Sequence, residues 1–247
     1  MSEAVSLTWR QFRFERRMFW RNPSAAFFNF LLPLILLLLI AGAFGTTTNR
    51  LDTLIPGLAA MNMFATTFNA LAYNITFLRE QGVLKRIHGT PLPAPAYFGG
   101  LLGNALANAV VQVALVVVLG HLIWGLPWPR DWGELVLFTV LGVVTFASLG
   151  IAFAHLIPNF SSAAAYVNVV FLPVILVSGT FYSTKSLPNV LDALARVLPL
   201  KHLIDGFSGA IVTGRGVSDN LTAIAVLCVW AAIGIFCAVR WFRWEQP

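Results

Sequence analysis

Six stretches of the chain contain no Asp, Glu, Lys or Arg: roughly 25–44, 54–78, 98–124, 135–157, 163–182 and 220–239. A helix needs about 20 apolar residues to cross about 30 Å of hydrocarbon, so the pattern predicts six transmembrane helices. Lipid offers no partner to backbone amides, and no barrel-like alternation is present, so helices are the only option. Polar and turn-forming residues fall between the stretches: Thr46-Thr47-Thr48-Asn49-Arg50, Trp128-Pro129-Arg130-Asp131-Trp132 and Pro158-Asn159-Phe160-Ser161-Ser162. Ala41-Gly42-Ala43 resembles a signal-peptidase site. The run before it is longer than a signal-peptide core, and five more apolar stretches follow, so the first is expected to be retained as a span.

Composition supports an all-α polytopic membrane protein. Of 247 residues, 58% are apolar or aromatic and 11% are charged, against about 45–50% and roughly 25% in soluble domains. This argues against a soluble enzyme, a disordered chain or a disulfide scaffold. Cys228 and Cys237 sit in one apolar stretch, about 13 Å apart on a helix, too far to bridge.

The net charge of +6 would suggest nucleic acid in a soluble protein, but here its distribution reads as membrane topology. One side (1–24, 79–97, 158–162 and the tail from Arg240) holds ten basic and four acidic residues, and the other holds six of each. The positive-inside rule places both termini in the cytoplasm, and no nucleic-acid partner is expected. Trp124, Trp128 and Trp132 would mark the outer interface, and Trp9, Trp20, Trp241 and Trp244 the inner one.

Three features lie outside the spans. Within 1–24, Arg10, Arg13, Arg17 and Arg21 share one helical face and Trp9, Phe12, Phe19 and Trp20 cluster on another, with Arg16 intruding among the aromatics. The spacing predicts a helix on the inner leaflet in contact with anionic lipid. The 79–91 loop holds Arg79, Glu80, Gly82, Val83, Leu84, Lys85 and Arg86. Gly82 permits a chain reversal, and Pro91, Pro93 and Pro95 prevent a continuous helix into the third span. This predicts a cytoplasmic knob, its apolar face formed by Val83, Leu84 and Ile87, that fits a partner's groove. The 186–214 segment carries two short apolar helices divided by Pro199, with Asp192/Arg196 and Lys201/Asp205 as i,i+4 pairs. Neither helix can span, so an outer re-entrant or interfacial hairpin is expected.

Uncharged polar residues recur inside the spans. Asn62, Thr66, Asn69, Tyr73 and Thr76 follow a 4-3-4-3 spacing, Asn104, Asn108 and Gln112 recur every four residues, and Tyr166 and Asn168 lie in the fifth span. Such groups are costly against lipid, so they face protein, water or substrate. Two roles remain open: hydrogen bonds between helices, worth about 0.6 kcal/mol each, or a path for an amphipathic cargo. Gly99, Gly100, Gly103 and Ala107, and Gly150 with Ala154, form small-residue faces suited to close helix packing.

Together these parts resemble the permease subunit of type-2 ABC (ATP-binding cassette) transporters, the family of daunorubicin-resistance-type exporters. The resemblance is carried by Arg79–Arg86 with Thr90-Pro91, by Pro199-Leu200-Lys201-His202-Leu203-Ile204-Asp205-Gly206, and by Phe19-Trp20-Arg21-Asn22-Pro23. It implies six helices per subunit and a dimer with a second copy or a related chain. ATP and Mg would be bound by separate ATPase subunits, with no cofactor on this chain. The loop after the second span would be the coupling helix, moving the first, second and fifth spans. The hairpin before the sixth would be re-entrant. Ser208 stands where the family often has a basic residue, three positions after Asp205.

The missing motifs agree with that reading. A P-loop places Lys after Gly, and none of Lys85, Lys185 and Lys201 follows a glycine. An ion-coupled carrier usually needs an ionisable residue near mid-membrane, and the spans as drawn contain no Asp, Glu, Lys or Arg. Gly206-Phe207-Ser208-Gly209 matches a rhomboid-protease motif, but no histidine follows His202 to serve as base. His88, His121, His155 and His202 are too dispersed for a metal site. Replacing Gly82 or Leu84 with Asp is expected to uncouple transport from hydrolysis without preventing membrane insertion.

Overall fold

The computed structural model describes residues 3–31, 34–36, 38–39, 42, 48–182, 188–214 and 216–241. Its elements are helical, with no strand among the described residues. They are α1 (Glu3–Trp20), α2 (Pro23–Ala26) running into a π-helical turn (Phe27–Leu31), α3 (Thr48–Phe64), a π-helical turn (Ala65–Asn69), α4 (Ala70–Glu80), α5 (Val83–His88), α6 (Ala94–Trp124), α7 (Trp132–Phe153), α8 (Phe160–Val177), α9 (Asn189–Val197), α10 (Pro199–Ser208) and α11 (Leu221–Trp241). Five helical stretches are long and apolar enough to cross a membrane: Leu51–Glu80, Ala94–Trp124, Trp132–Leu156, Phe160–Val177 and Val217–Trp241. They correspond to the second to sixth expected spans. Much of the expected first span lies outside the described residues, as do Lys185, Arg215 and Trp244.

Local chemistry sets the helix ends. Asp131 and Asn159 cap α7 and α8 by accepting from the backbone N–H groups of Glu134 and Ser162, each at 2.9 Å. Gly125 closes α6 in the left-handed conformation, φ +65°. Gly82 reverses the chain between α4 and α5 at the same φ.

The core is built around α10. Leu200, Leu203 and Phe207 are fully buried among Leu58 and Met63 of α3, Phe138 and Phe146 of α7 and Leu227 of α11. Glycines permit this approach. A Cβ at Gly206 would lie 2.3 Å from the Phe138 ring, and one at Gly142 would meet Met63 Sδ at 2.7 Å and Leu203 at 3.0 Å. Gly142 stands ten residues into α7, roughly 15 Å from its start, so α10 runs beside α7 to about its midpoint. The turn between α9 and α10 reaches a comparable depth on α11, where Trp230 Nε1 donates to Val197 O at 2.8 Å. Along α7 and α11, Gly234 packs on Ser148 and Leu149, and Thr145 Oγ1 donates to Leu227 O at 3.1 Å.

The N-terminal helix packs on the bundle. It lies along the first half of α6 with its own inward face: Thr8 against Gly99, Gln11 against Gly100, and Phe12 against Gly100 and Gly103. Arg16 donates to Asn108 Oδ1. The glycine face of α6 is thus occupied by α1, which explains why Arg16 breaks the aromatic cluster. Arg10, Arg13 and Arg17 remain exposed, as do Trp9 and Trp20, whereas Phe12 and Phe19 are partly buried. The long α6 has 31 residues, about ten more than a span requires.

Glu134, one of the six acidic residues counted on the side opposite the termini, is fully buried in the first turn of α7. Its Oε1 accepts from Asn220 Nδ2 at 2.5 Å. Gly209 leaves the space for this pair, since a Cβ there would sit 2.7 Å from the amide and 2.8 Å from the carboxylate.

Candidate functional site

The loop after α4 folds as a knob with two different sides. Lys85, Arg86 and His88 of α5 are exposed, and Val83 and Ile87 are partly buried. Leu84 is fully buried in a cluster with Leu71 and Ile75 of α4, Tyr97 and Leu101 of α6, and Ala147 and Ile151 of α7. Leu84, expected on the apolar face toward a partner, is thus turned into the chain's own core rather than toward solvent. A six-residue helix has little stability of its own, and this leucine fixes it to three long helices.

Arg79 is also turned inward. It is 8% exposed and donates through Nη2 to Ile157 O at the end of the α7 segment, so it is not part of the solvent face of the knob. Glu80 is exposed, and its Oε2 accepts from the Phe160 N–H at the start of α8. The base of the knob is thus tied to α8, the fifth expected span. Its packing otherwise reaches the second, third and fourth spans.

The polar stripes of the second and third spans meet. Thr66, Asn69, Tyr73, Asn104 and Asn108 line one cavity of about 470 Å³ between α1, the π-helical turn, α4 and α6. The turn at Ala65–Asn69 lies within the stripe, and such π-bulges are frequent at functional sites. Thr66 Oγ1 donates to Gln112 Oε1 at 3.0 Å, and Gln112 Nε2 donates to Asn29 O at 2.6 Å. Thr66 and Asn29 thus serve both in interhelical bonds and as cavity wall, with Gln112 joining them from outside the lining. Asn69 and Asn104 each keep a buried Oδ1 with no partner among the described residues. Asn62 and Thr76, the two ends of the stripe, are buried and do not line the cavity. Tyr166 and Asn168 do not join it, being exposed on α8.

Glu15 and Asn29, which were not singled out from the sequence, also line the cavity, as does Asn22, named there only within residues 19–23. The available signal was Asn29, a lone amide in an apolar run. Burial raises the Glu15 carboxyl above its usual range, partly offset by the hydrogen bond from Gln11. Burial also lowers the Arg16 guanidinium. An acid whose folded pKa is raised binds more protons folded than unfolded, so its contribution to stability falls as pH rises through the interval between the two values. Docking of α1 should loosen as pH rises above the ordinary carboxylate range, and Glu15→Gln should remove that dependence. Protease protection of residues 3–20 against pH checks this.

On the opposite end, Lys201 pairs with Asp205 at 2.8 Å and Arg196 with Asp192 at 2.6 Å. His202 contacts Arg196 O at 2.8 Å through Nε2, and Pro199 is buried at the start of α10. No cluster of metal-ligating side chains occurs among the described residues.

Residues 3–212 match the family model described as ABC-2 type transporter. Nodulation protein J of Rhizobium leguminosarum bv. trifolii is 32% identical over 100 residues, 40% of this chain and 38% of that protein. The linearmycin resistance permease protein LnrN of Bacillus subtilis is 24% identical over 50% of this chain and 32% of its own length. The probable multidrug ABC transporter permease YbhS of Escherichia coli is 22% identical over 78% of this chain and 51% of its own. The matches thus span from about a third to a half of these relatives. With the family model covering most of the sequence and an all-helical membrane architecture beneath it, the chain belongs to the ABC-2 type transporter family.

Proposed function

We propose that this chain is the membrane-spanning permease subunit of an exporter powered by a separate ATPase, and that it moves an amphipathic drug, lipid or lipid-linked glycan outward across the cytoplasmic membrane. The observation that carries the reading is the two-sided knob: an exposed basic face on α5 is tied through buried Leu84 to α4, α6 and α7. A push on that face is delivered to long helices rather than dissipated in a loop. ATP and Mg would act on the partner, and this chain would bind neither.

The cavity walled by Asn69 and Asn104 is proposed as part of the cargo path, supported by its unpartnered amide oxygens and by a mostly uncharged, partly aromatic lining in which Glu15 is the one carboxyl group among the described residues. Six spans with both termini in the cytoplasm are proposed from the charge asymmetry. The α9–α10 hairpin is proposed as re-entrant from outside, supported by Leu203 lying against Gly142 midway along α7. A second copy or related chain would complete the path along sparsely covered faces such as α8, where Tyr166 and Asn168 are exposed.

Co-expression with an ATPase encoded nearby tests the reading. A stable complex whose transport stops with vanadate is expected. Transport by this chain alone in liposomes, insensitive to vanadate and abolished by a protonophore, would establish an ion-coupled carrier instead.

A further inference from the structure

A groove of about 760 Å³ opens between α7, α8 and α11, apart from the polar cavity. Phe64, Phe68, Phe146, Phe153 and Val174 contribute to its walls. One end is bounded by Trp230 with Leu198 and Pro199, the other by Trp241, His155 and Arg79. From Trp230 to Trp241 is eleven residues of α11, about 16 Å, close to half of the roughly 30 Å hydrocarbon core. The groove is therefore about one leaflet deep.

Its polar end is built rather than incidental. Among the described residues, Arg79 is the sole Arg, Lys, Asp or Glu lining the groove. Its side chain is more than nine-tenths buried, one amino group is held by Ile157 O, and Nε has no partner among the described residues. Glu80, its neighbour in sequence, accepts from the Phe160 amide. A buried guanidinium with no carboxylate in ion-pair contact among the described residues calls for an anion, and basic pockets between transmembrane helices are suited to lipid headgroups.

We infer that this groove holds one membrane glycerophospholipid, with its phosphodiester on Arg79 and an acyl chain along the apolar walls toward Trp230. The site requires that the helices cross the bilayer but not that an ATPase be the motor, so it can fail or stand independently of the proposed function. Charge complementarity favours a lipid over a second copy of this chain, whose α8 offers no acidic side chain to Arg79.

Native mass spectrometry of the full chain in detergent tests this. The protein is washed free of bulk lipid and titrated with phosphatidylglycerol, phosphatidylcholine and inorganic phosphate. One phosphatidylglycerol per chain should be retained in preference to phosphatidylcholine, and millimolar phosphate should not displace it. Arg79→Gln should weaken retention about tenfold, the loss of one charge-assisted contact, and Arg79→Lys should restore most of it. Ala152→Trp, which fills the groove without removing Arg79, should also release the lipid while the melting temperature holds. Equal lipid retention in wild type, Arg79→Gln and Ala152→Trp would overturn the inference. So would displacement by inorganic phosphate, or lipid-free dimers cross-linked through cysteines introduced at the groove edge.

Discussion

Reversing both charges in Lys85→Glu/Arg86→Glu is expected to abolish co-purification with the ATPase subunit while leaving the permease folded. Both side chains are exposed on α5, and exposed substitutions usually change stability by less than about 0.5 kcal/mol. The reversal changes the local charge by four units on the surface proposed to meet the partner, which alters encounter and specificity strongly. Leu84→Asp, one residue away, should behave differently. Leu84 is fully buried; truncating such a leucine to Ala alone costs about 2–5 kcal/mol, and a carboxylate without a partner adds a desolvation cost. Loss of the monodisperse peak is the expected result, not a folded but uncoupled protein. Gly82→Asp remains a cleaner probe, since a Cβ there meets nothing within 4 Å, although the left-handed backbone costs about 1–2 kcal/mol for a residue with a Cβ. Size-exclusion profiles and pull-down of the ATPase, measured on the same variants, separate the two classes. Normal ATPase binding by the double charge reversal would remove α5 as the docking face.

The second large effect concerns Gly150. A Cβ at this position would fall 2.5 Å from Phe68 O and 2.9 Å from Phe68 Cα. Both are backbone atoms of the π-helical turn, so no side-chain rotation can relieve the clash. Overpacking of this kind costs about 1–3 kcal/mol even where neighbours adjust. Gly150→Val should lower the melting temperature markedly and disturb the polar cavity, because Asn69 lies next to Phe68. Gly89→Ala is a suitable control, since its Cβ would meet only Arg86 O at 3.5 Å and Lys85 O at 3.8 Å. Tryptophan-fluorescence melting in detergent measures both, and equal melting temperatures would show that the α7–Phe68 contact tolerates separation.

The sparse charge and the lengths of the apolar runs made the membrane class legible, and the proline and glycine punctuation located the knob and the hairpin. Asn69, Asn104 and Asn108 were visible as helical stripes, and the fold brings them to one cavity. Tyr166 and Asn168 were included by residue type, but the fold leaves them on an exposed face of α8. Glu15 and Asn22 were hidden because they lie in a segment read as interfacial, and only its docking against α6 makes them cavity wall.

Periodicity and charge placement act along the chain, so they determine which segments are helical, which are apolar enough for lipid and where the breaks fall. They do not determine which face meets which neighbour. Leu84, Arg79 and Glu134 belong by composition to polar connections, yet each is buried because helices distant in sequence close over it. Close approaches at Gly100, Gly142, Gly150 and Gly206 bring the helices together, and Gly209 leaves the room for Glu134. A missing side chain permits such contact but cannot name its partner until the helices are packed.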